Sequence, residues 1–299
     1  MSAALTVTPH DGACGATVTG VALAELDAAD FAAIEHAFHT YGVLAFPDQH
    51  LSDEEHAAFS RRFGPLELTD TRKLHQPGPK SPFIQLANVN RAGETVADPE
   101  AKQNQFLRAN QFWHTDSSFK RIGAKASLLN CRAAPSSGGE TEYADMRAGY
   151  EALDRAQQAR LEGLVAVHSI AFSQSLALGA HDVLSKEENE NLPPVEHPVV
   201  RVHEPTGRRS LYVGRHVWRI HGMDDADARQ LVEDLVEAAC RPPRVYTHRW
   251  SAGDLVMWDN RCMLHRGRPW DVRERRLMRR TTIAGAAPPG DVNEWALPD

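Results

Sequence analysis

A chain of 299 residues with 42% hydrophobic and 24% charged residues has an ordinary globular composition, and its length allows one large domain or two smaller ones. Its formal net charge of −7 argues against a nucleic-acid partner bound through a broad basic surface. The sequence contains no apolar run of roughly 18 residues or more and no secretory signal, so neither a membrane partner nor export is expected. The four cysteines are scattered without a CxxC pair, which favours a reduced, cytoplasmic protein.

The first part of the chain predicts strands followed by two helices. Short β-branched runs within residues 5–24 predict strands, and residues 27–30 supply N-cap side chains for a helix. Residues 43–46 then predict a buried strand. Ser52 and Glu55 resemble a capping box before a second helix, so we expect N-terminal helices at about 27–64.

The segment of about 66–108 is less regular. Residues 76–79 must turn, residues 84–89 alternate like a strand, and residues 91–106 are polar and predict a mobile loop. Because the segment precedes the candidate ligands described below, we predict that it is a lid over an active site. A surface insertion without function is the alternative.

The rest of the chain carries many short strands separated by turns and few helices. Residues 146–164 and 224–239 have the apolar spacing of helices, and 173–193 is predicted to be a long polar connection. Strands are predicted near 127–131, 140–144, 199–202, 211–213, 255–258 and 277–284. The pattern predicts a mainly β fold with helical decoration, with a double-stranded β-helix (jelly roll, cupin-like) core, as one domain over 1–299. A doubly wound parallel sheet is disfavoured, because strands and helices do not alternate regularly.

One motif places two metal-ligating side chains close together. His114 and Asp116 are separated by Thr115 within an apolar and aromatic run, and in an extended strand they would project to the same side. One imidazole nitrogen and one carboxylate oxygen suit a first-row divalent ion. His265, on a distant strand, is the candidate third ligand, and two histidines with one carboxylate form the facial triad of non-haem Fe(II) oxygenases.

A cationic segment follows the third ligand. Residues 261–280 contain eight arginines in an otherwise acidic protein, which suggests a small anionic ligand, although some of them are expected to be solvated. Arg276 and Arg280 have the same parity on a predicted strand and therefore face the same way, so the two guanidinium groups can hold two carboxylates. Thr141, after a Gly-Gly turn, is a suitable hydroxyl to share the first carboxylate.

Each of these motifs alone has a simpler explanation. A His-x-Asp motif is weak evidence in a chain with 15 histidines, a single histidine is usually a surface or core residue, and an arginine run is usually a solvated face. The combination of the motif, a late histidine and two spaced arginines is much more specific than any one part.

The combined pattern resembles the TauD/TfdA family of Fe(II)/2-oxoglutarate-dependent dioxygenases, which includes taurine dioxygenase and 2,4-dichlorophenoxyacetate dioxygenase. The resemblance runs from about residue 14 to about residue 285. The matching segments are 41–47, 59–65, 113–116, 138–141, 258–261, and Arg276 with Arg280. Residues 110–119 and 253–262 resemble the phenoxyalkanoate branch more than the taurine branch.

The resemblance implies a role for each candidate residue. His114, Asp116 and His265 are expected to bind Fe(II). Thr141 and Arg276 are expected to hold the far carboxylate of 2-oxoglutarate. Arg280 is expected to grip the acidic group of the substrate, with Asn110 and His216 as weaker candidates for the substrate pocket. For His216 a structural role is an equal alternative. Trp113, Phe112, Phe119 and Trp218 are candidates for an aromatic pocket wall, with core packing as the alternative. Trp258 and Asp259 are interpreted as support for the His265 strand.

The resemblance also implies a reaction. An aryloxyalkanoate such as 2,4-dichlorophenoxyacetate would be hydroxylated at the carbon next to its carboxylate, giving a phenol and glyoxylate or pyruvate, while 2-oxoglutarate and O2 give succinate and CO2. The alternatives are a dioxygenase for taurine, another sulfonate or an alkyl sulfate, and, from a different class, a jelly-roll metal-binding protein without turnover. Members of the family are commonly homo-oligomers, so the resemblance implies a homo-oligomer. It also implies a small anionic organic substrate as the partner.

Overall fold

The computed structural model describes residues 4–12, 14–68, 81–179 and 190–297. The strands are β1 Thr6–Pro9, β2 Ala16–Thr19, β3 Val43–Phe46, β4 Phe83–Ala87, β5 Ala126–Ala133, β6 Thr141–Asp145, β7 Val165–His168, β8 Val195–Pro198, β9 Val200–His203, β10 Arg208–Leu211, β11 Val217–Ile220, β12 Val245–His248, β13 Leu255–Asp259, β14 Met263–Gly267 and β15 Leu277–Ile283. The helices are α1 Ala28–Tyr41, α2 Asp53–Arg61, α3 Lys102–Ala109, α4 Met146–Glu151, α5 Arg155–Leu161, α6 Ile170–Leu178 and α7 Asp225–Ala239, with a 3-10 turn at Leu23–Glu25.

Two sheets form the centre of the fold. The larger has seven strands in the order β1-β2-β3-β13-β5-β15-β4, antiparallel except between β2 and β3. The smaller has the order β12-β6-β14 and is antiparallel. Side chains of both sheets share one buried cluster, so the sheets pack face to face as in a jelly roll. The predicted jelly-roll core with helical decoration is confirmed. Two small sheets, β11-β7-β8 and β10-β9, extend the structure.

The central strands β3, β13 and β5 of the larger sheet are buried on both faces, which explains their continuous apolar runs. On β13, Leu255 and Met257 pack into the cluster beneath the N-terminal helices, whereas Val256 and Trp258 point to the other face and the smaller sheet. The alternation follows the two-residue period of a strand. Helices α1 and α2 therefore cover one face of the larger sheet. The other face, which carries Trp258, points toward the smaller sheet and is available for a functional site.

The ends of the N-terminal helices are where their side chains predict them. The Asp27 carboxylate accepts from the Asp30 amide at the start of α1, and Gly42 ends that helix with a φ of 75°. Ser52 and Glu55 form the predicted capping box at the start of α2. Both helices lie within residues 27–64.

Three predicted segments differ from the structure. Residues 146–164 form two helices, because Asp154 caps a new helix and forms a capping box with Gln157. Residues 91–106, predicted to be a loop, include the start of α3, whose Leu107 is buried and whose Asn104 amide donates to two backbone carbonyls. Helix α6 occupies the start of the predicted connection 173–193, of which 180–189 lie outside the described residues.

The predicted lid at 66–108 is described only in part. Residues 69–80 lie outside the described residues, and the remainder includes β4 and α3. Across the described ranges, no helix is both long enough and apolar enough to cross a membrane.

Two buried histidines predict that acid destabilises the fold. Burial lowers the pKa of His56 and that of His168 to about 3 each, from an ordinary value near 6.5. The unfolded chain therefore binds more protons than the folded protein below about pH 6.5. We expect the free energy of unfolding to be highest above that pH and to fall as the pH is lowered toward 4. Urea titration at several pH values measures it.

The control for this prediction replaces one histidine at a time. His56→Gln is expected to make the acid dependence shallower, whereas His36→Gln, at an exposed position, should leave its slope unchanged. A free energy of unfolding that stays constant between pH 7 and pH 4.5 would contradict the prediction.

Candidate metal and co-substrate site

The two histidines of the predicted triad are joined by their backbones. The His114 amide donates to the His265 carbonyl at 3.0 Å, and the His265 amide donates to the His114 carbonyl at 2.8 Å. This pair is an isolated antiparallel bridge beside β14. It places the two imidazole rings 4.1 Å apart, centroid to centroid.

Asp116 completes the group from a turn and not from a strand. The expected extended strand through His114 and Asp116 is reduced to the single bridge, and Ser117 turns the chain with a φ of 57°. Asp116 nevertheless projects toward the histidines, and its Oδ2 lies 3.8 Å from His265 Nε2. One ligand atom from each of the three buried residues lies within 4.8 Å of the other two.

The protonation states of the three groups suit metal binding. Burial lowers the pKa of His114 and lowers that of His265 to about 4, so both imidazoles are neutral at pH 7. Burial would raise the pKa of Asp116, but the charge of the Arg280 guanidinium, helped by the hydrogen bond from Ser127, holds it well below its ordinary value. His114 Nδ1 lies 2.7 Å from the Phe112 carbonyl and must donate to it, which leaves Nε2 as a bare acceptor for a metal.

A second buried group of potential ligands does not suit a metal. His203, Asp259 and Cys262 lie close together, but the Asp259 carboxylate already accepts from Arg261 Nε at 2.8 Å and from His203 Nε2 at 3.0 Å. The bound guanidinium supplies the positive charge that a cation would bring. We interpret this group as part of the scaffold behind β13 and β14.

A cavity opens beside the triad, and Arg276 lies in its wall. Its lining includes Leu86, Leu107, Asn110, Gln111, Leu129, Thr141, Trp258, His265, Gly267, Arg268, Trp270, Arg276 and Arg280. Arg276 is buried, forms no ion pair with the residues that the structure describes, and has a buried Nε without a hydrogen-bond partner. Burial lowers its pKa to about 10, which leaves it charged at pH 7. A buried, unpaired guanidinium is costly unless an anion binds to it.

The Gly138-Gly139 turn makes room for this guanidinium. A Cβ on Gly139, whose φ is 70°, would lie 3.2 Å from Arg276 Nε, and a Cβ on Gly138 would lie 2.5 Å from the Pro269 carbonyl oxygen. Thr141 follows the turn, and its Oγ accepts from Trp250 Nε1 at 3.0 Å. Because this bond uses a lone pair of Oγ, the Thr141 hydroxyl can still donate its hydrogen to a ligand.

Trp270 is a further donor in the same wall that the sequence did not indicate. Arg276 lies over its ring, 5.0 Å from the centroid. Within the described part of the chain, the buried Nε1 of Trp270 has no hydrogen-bond partner. Arg276, Thr141 and Trp270 thus offer a carboxylate three kinds of N–H or O–H donor, and the pocket fits one end of a dicarboxylate.

Arg280 shares the cavity but contacts the triad directly. Its Nη1 donates to Asp116 Oδ1 at 2.6 Å, and its buried Nε has no hydrogen-bond partner among the residues that the structure describes. The predicted common facing of Arg276 and Arg280 is observed, because both line the cavity. Arg280 therefore retains donors for an anion beside the triad.

The weaker pocket candidates divide into lining and supporting residues. Asn110 lines the cavity, and its carbonyl accepts from the Gly267 amide at 2.8 Å. His216 is buried, with Nδ1 2.9 Å from Ser173 Oγ and its ring 6.2 Å from that of His114, and it is not among the lining residues. Trp258 lines the cavity, with its ring 4.6 Å from that of His265.

The four aromatic candidates do not line this cavity. Phe112 is exposed, Trp113 packs beneath Arg266, Phe119 packs on His216, and Trp218 packs with Arg219. Within the described residues, the cavity wall takes its aromatic surface from Trp258 and Trp270.

The fold and the site together define a class of protein. A jelly roll that buries two histidines and one carboxylate beside two guanidinium groups, one of which has no ion pair within the described residues, has the features of a mononuclear non-haem iron oxygenase with an anionic co-substrate.

Comparison with known proteins identifies the family. Residues 6–282 match the family described as taurine catabolism dioxygenase TauD, TfdA family. A relative from Sphingobium herbicidovorans, named (S)-phenoxypropionate/alpha-ketoglutarate-dioxygenase, is 40% identical over 95% of this chain and 96% of its own. A second, from Cupriavidus pinatubonensis and named alpha-ketoglutarate-dependent 2,4-dichlorophenoxyacetate dioxygenase, is 42% identical over 83% of this chain and 86% of its own.

A solved structure agrees with these relatives. The crystal structure of AAD-2 in complex with Mn(II) and N-oxalylglycine matches with a TM-score of 0.86 and 36% identity, over 97% of this chain and 100% of that one. The chain belongs to the TauD/TfdA family of dioxygenases. The predicted family and the predicted class, a 2-oxoglutarate-dependent dioxygenase, are confirmed.

Proposed function

We propose that this protein is an Fe(II)- and 2-oxoglutarate-dependent dioxygenase that hydroxylates an aryloxyalkanoate at the carbon bearing the carboxylate. The observation that carries the proposal is the pair of guanidinium groups in one cavity beside the triad, each with a buried Nε that has no hydrogen-bond partner in the described ranges. A cavity with two such cations fits two carboxylate ligands, one from the co-substrate and one from the substrate.

The donor set fits the metal and the co-substrate. His114, Asp116 and His265 would hold Fe(II), and Arg276, Thr141 and Trp270 would hold the far carboxylate of 2-oxoglutarate. When bound, the metal and 2-oxoglutarate supply the oxidising chemistry, in which decarboxylation to succinate and CO2 is coupled to oxygen insertion into a C–H bond.

The protein's own contribution is orientation and charge. Arg280 lies between the triad and the cavity, so a substrate carboxylate held by its free donors would place the adjacent carbon near the metal ligands. The apolar wall, which includes Leu86, Leu107 and Leu129, suits the aromatic ring and excludes water from the reacting carbon. Hydroxylation there gives a hemiacetal, which releases a phenol and glyoxylate or pyruvate.

The substrate class is tested by succinate release. Purified protein with Fe(II), ascorbate and 2-oxoglutarate is supplied with phenoxyacetate, 2,4-dichlorophenoxyacetate, each phenoxypropionate enantiomer, taurine or an alkyl sulfate. We expect succinate and an equal amount of phenol with the aryloxyalkanoates, and more with the (S) enantiomer, for which the Sphingobium relative is named. Larger release with taurine or an alkyl sulfate would favour the alternative substrate classes and contradict the proposal.

Several expectations accompany this function. We propose a cytoplasmic homo-oligomer that acts on a small anionic organic substrate without a nucleic-acid partner. Size-exclusion chromatography with light scattering tests the oligomeric state. The proposed lid at 66–108 is supported by its described parts, because Leu86 and Leu107 contribute to the cavity wall.

A further inference from the structure

Two fully buried polar side chains lie directly behind Asp116. Ser127 on β5 and Asn260, which follows β13, are both 0% exposed. Ser127 Oγ lies 2.7 Å from Asp116 Oδ2, and Asn260 Nδ2 lies 2.9 Å from Ser127 Oγ. We propose that Asn260 and Ser127 form one hydrogen-bonded relay that positions Asp116 for metal binding.

The direction of each hydrogen bond in the relay follows from its donors. Asn260 Oδ1 lies 3.0 Å from Trp258 Nε1 and 3.2 Å from the Asp116 amide nitrogen, and both of those groups can only donate. Oδ1 is therefore the acceptor end, and Nδ2 donates to Ser127. The Ser127 hydroxyl hydrogen is then directed to the Asp116 carboxylate, which can only accept.

The relay compensates for the missing strand at Asp116. Because Asp116 lies in a turn, no regular ladder fixes its backbone. The Asn260 side chain binds the Asp116 amide, and the Asn260 carbonyl accepts from Thr115 Oγ at 2.7 Å. One residue thus holds the Thr115 side chain, the Asp116 amide and, through Ser127, the Asp116 carboxylate.

The relay also determines how the carboxylate faces the histidines. Arg280 binds Asp116 Oδ1 at 2.6 Å, while Ser127 binds Oδ2. A carboxylate has about four lone-pair sites, so sites remain for a metal while the plane of the group is fixed by a donor on each oxygen. Without Ser127, Arg280 would be the one remaining donor among the described residues, and the carboxylate could rotate about its Cβ–Cγ bond. The inference rests on the proposed metal site.

The test is a double-mutant cycle with anaerobic Fe(II) binding as its readout. Ser127→Ala, Asn260→Ala and the double variant are titrated with Fe(II), and the visible charge-transfer band is then recorded with 2-oxoglutarate. We expect each single variant to bind Fe(II) about 10- to 100-fold more weakly, as is typical for partners of metal ligands, with a shifted band. Because the two residues act through one hydrogen-bonded relay, the double variant should lose little more Fe(II) affinity than the single variant that binds Fe(II) more weakly.

Two further variants separate positioning from general destabilisation. Asn130→Ala removes another fully buried amide on β5, which donates to the Asp254 carbonyl at 3.2 Å, and it should leave Fe(II) affinity unchanged. Ser127→Thr keeps the hydroxyl and should bind Fe(II) more tightly than Ser127→Ala. Circular dichroism confirms that each variant is folded, and Ser127→Ala decides the question alone if Asn260→Ala does not fold.

Three results would overturn the relay: Fe(II) affinity of Ser127→Ala within twofold of the unsubstituted protein, an equal loss in Asn130→Ala, or additive losses in the cycle. A failure of the proposed function looks different, because the unsubstituted protein itself would then bind no Fe(II).

Discussion

His265→Ala is expected to abolish the anaerobic charge-transfer band of the protein with Fe(II) and 2-oxoglutarate, together with succinate release. The substitution removes one of three ligands whose donor atoms lie within 4.8 Å of one another. We expect a loss of Fe(II) affinity greater than the roughly 100-fold that removal of a ligand's hydrogen-bond partner costs. The measurement is an anaerobic Fe(II) titration followed by a visible difference spectrum.

His248→Ala is the matched control for this result. His248 is also a buried histidine on a strand of the smaller sheet, but it pairs with Asp254 at 3.2 Å and is not one of the triad. The control should keep the band. A band of the same intensity in His265→Ala would show that His265 is not a metal ligand and would contradict the assignment of the triad.

The predictions that held depend on residues close together in sequence. The capping box of Ser52 and Glu55 and the end of α1 at Gly42 follow from local backbone chemistry, so the sequence alone is sufficient for them. The alternation of β13 between two buried faces likewise appears as an apolar run. The split between α4 and α5 was missed because the apolar spacing continues through Asp154, whose side chain caps a new helix.

The site was predictable where residue types are chemically distinctive. His114, Asp116 and His265 are brought together as the resemblance implied, although local periodicity could not show that a turn, and not a strand, carries Asp116. Asn260 lay inside a matched motif, but its hydrogen bonds to Ser127 depend on the register of β5 against β13, which is a long-range property. Nothing in the sequence around Trp270 indicated that its indole N–H would lie in the cavity wall.

Arg276→Ala is expected to raise the KM for 2-oxoglutarate about 30-fold or more with little change in the KM for an aryloxyalkanoate, and Arg280→Ala to do the reverse. Arg276 lies against the Gly138-Gly139 turn and has no ion pair within the described residues, so its removal leaves a co-substrate carboxylate without its counter-charge. Loss of one partner from a buried charge pair costs about 2 kcal/mol or more, which corresponds to about 30-fold. Steady-state kinetics with each ligand varied in turn measure both values.

The control is Arg279→Ala. Arg279 lies between Arg276 and Arg280 in sequence, but it pairs with Asp53 at 2.5 Å and does not line the cavity. It should leave both KM values unchanged. Since Arg280 also binds Asp116, its variant is assayed at saturating Fe(II), so that weakened metal binding is not mistaken for weakened substrate binding. Equal effects of Arg276→Ala and Arg280→Ala on the two KM values would show that the two carboxylates are not divided between these arginines. In that case the shared cavity would hold both ligands through both guanidinium groups.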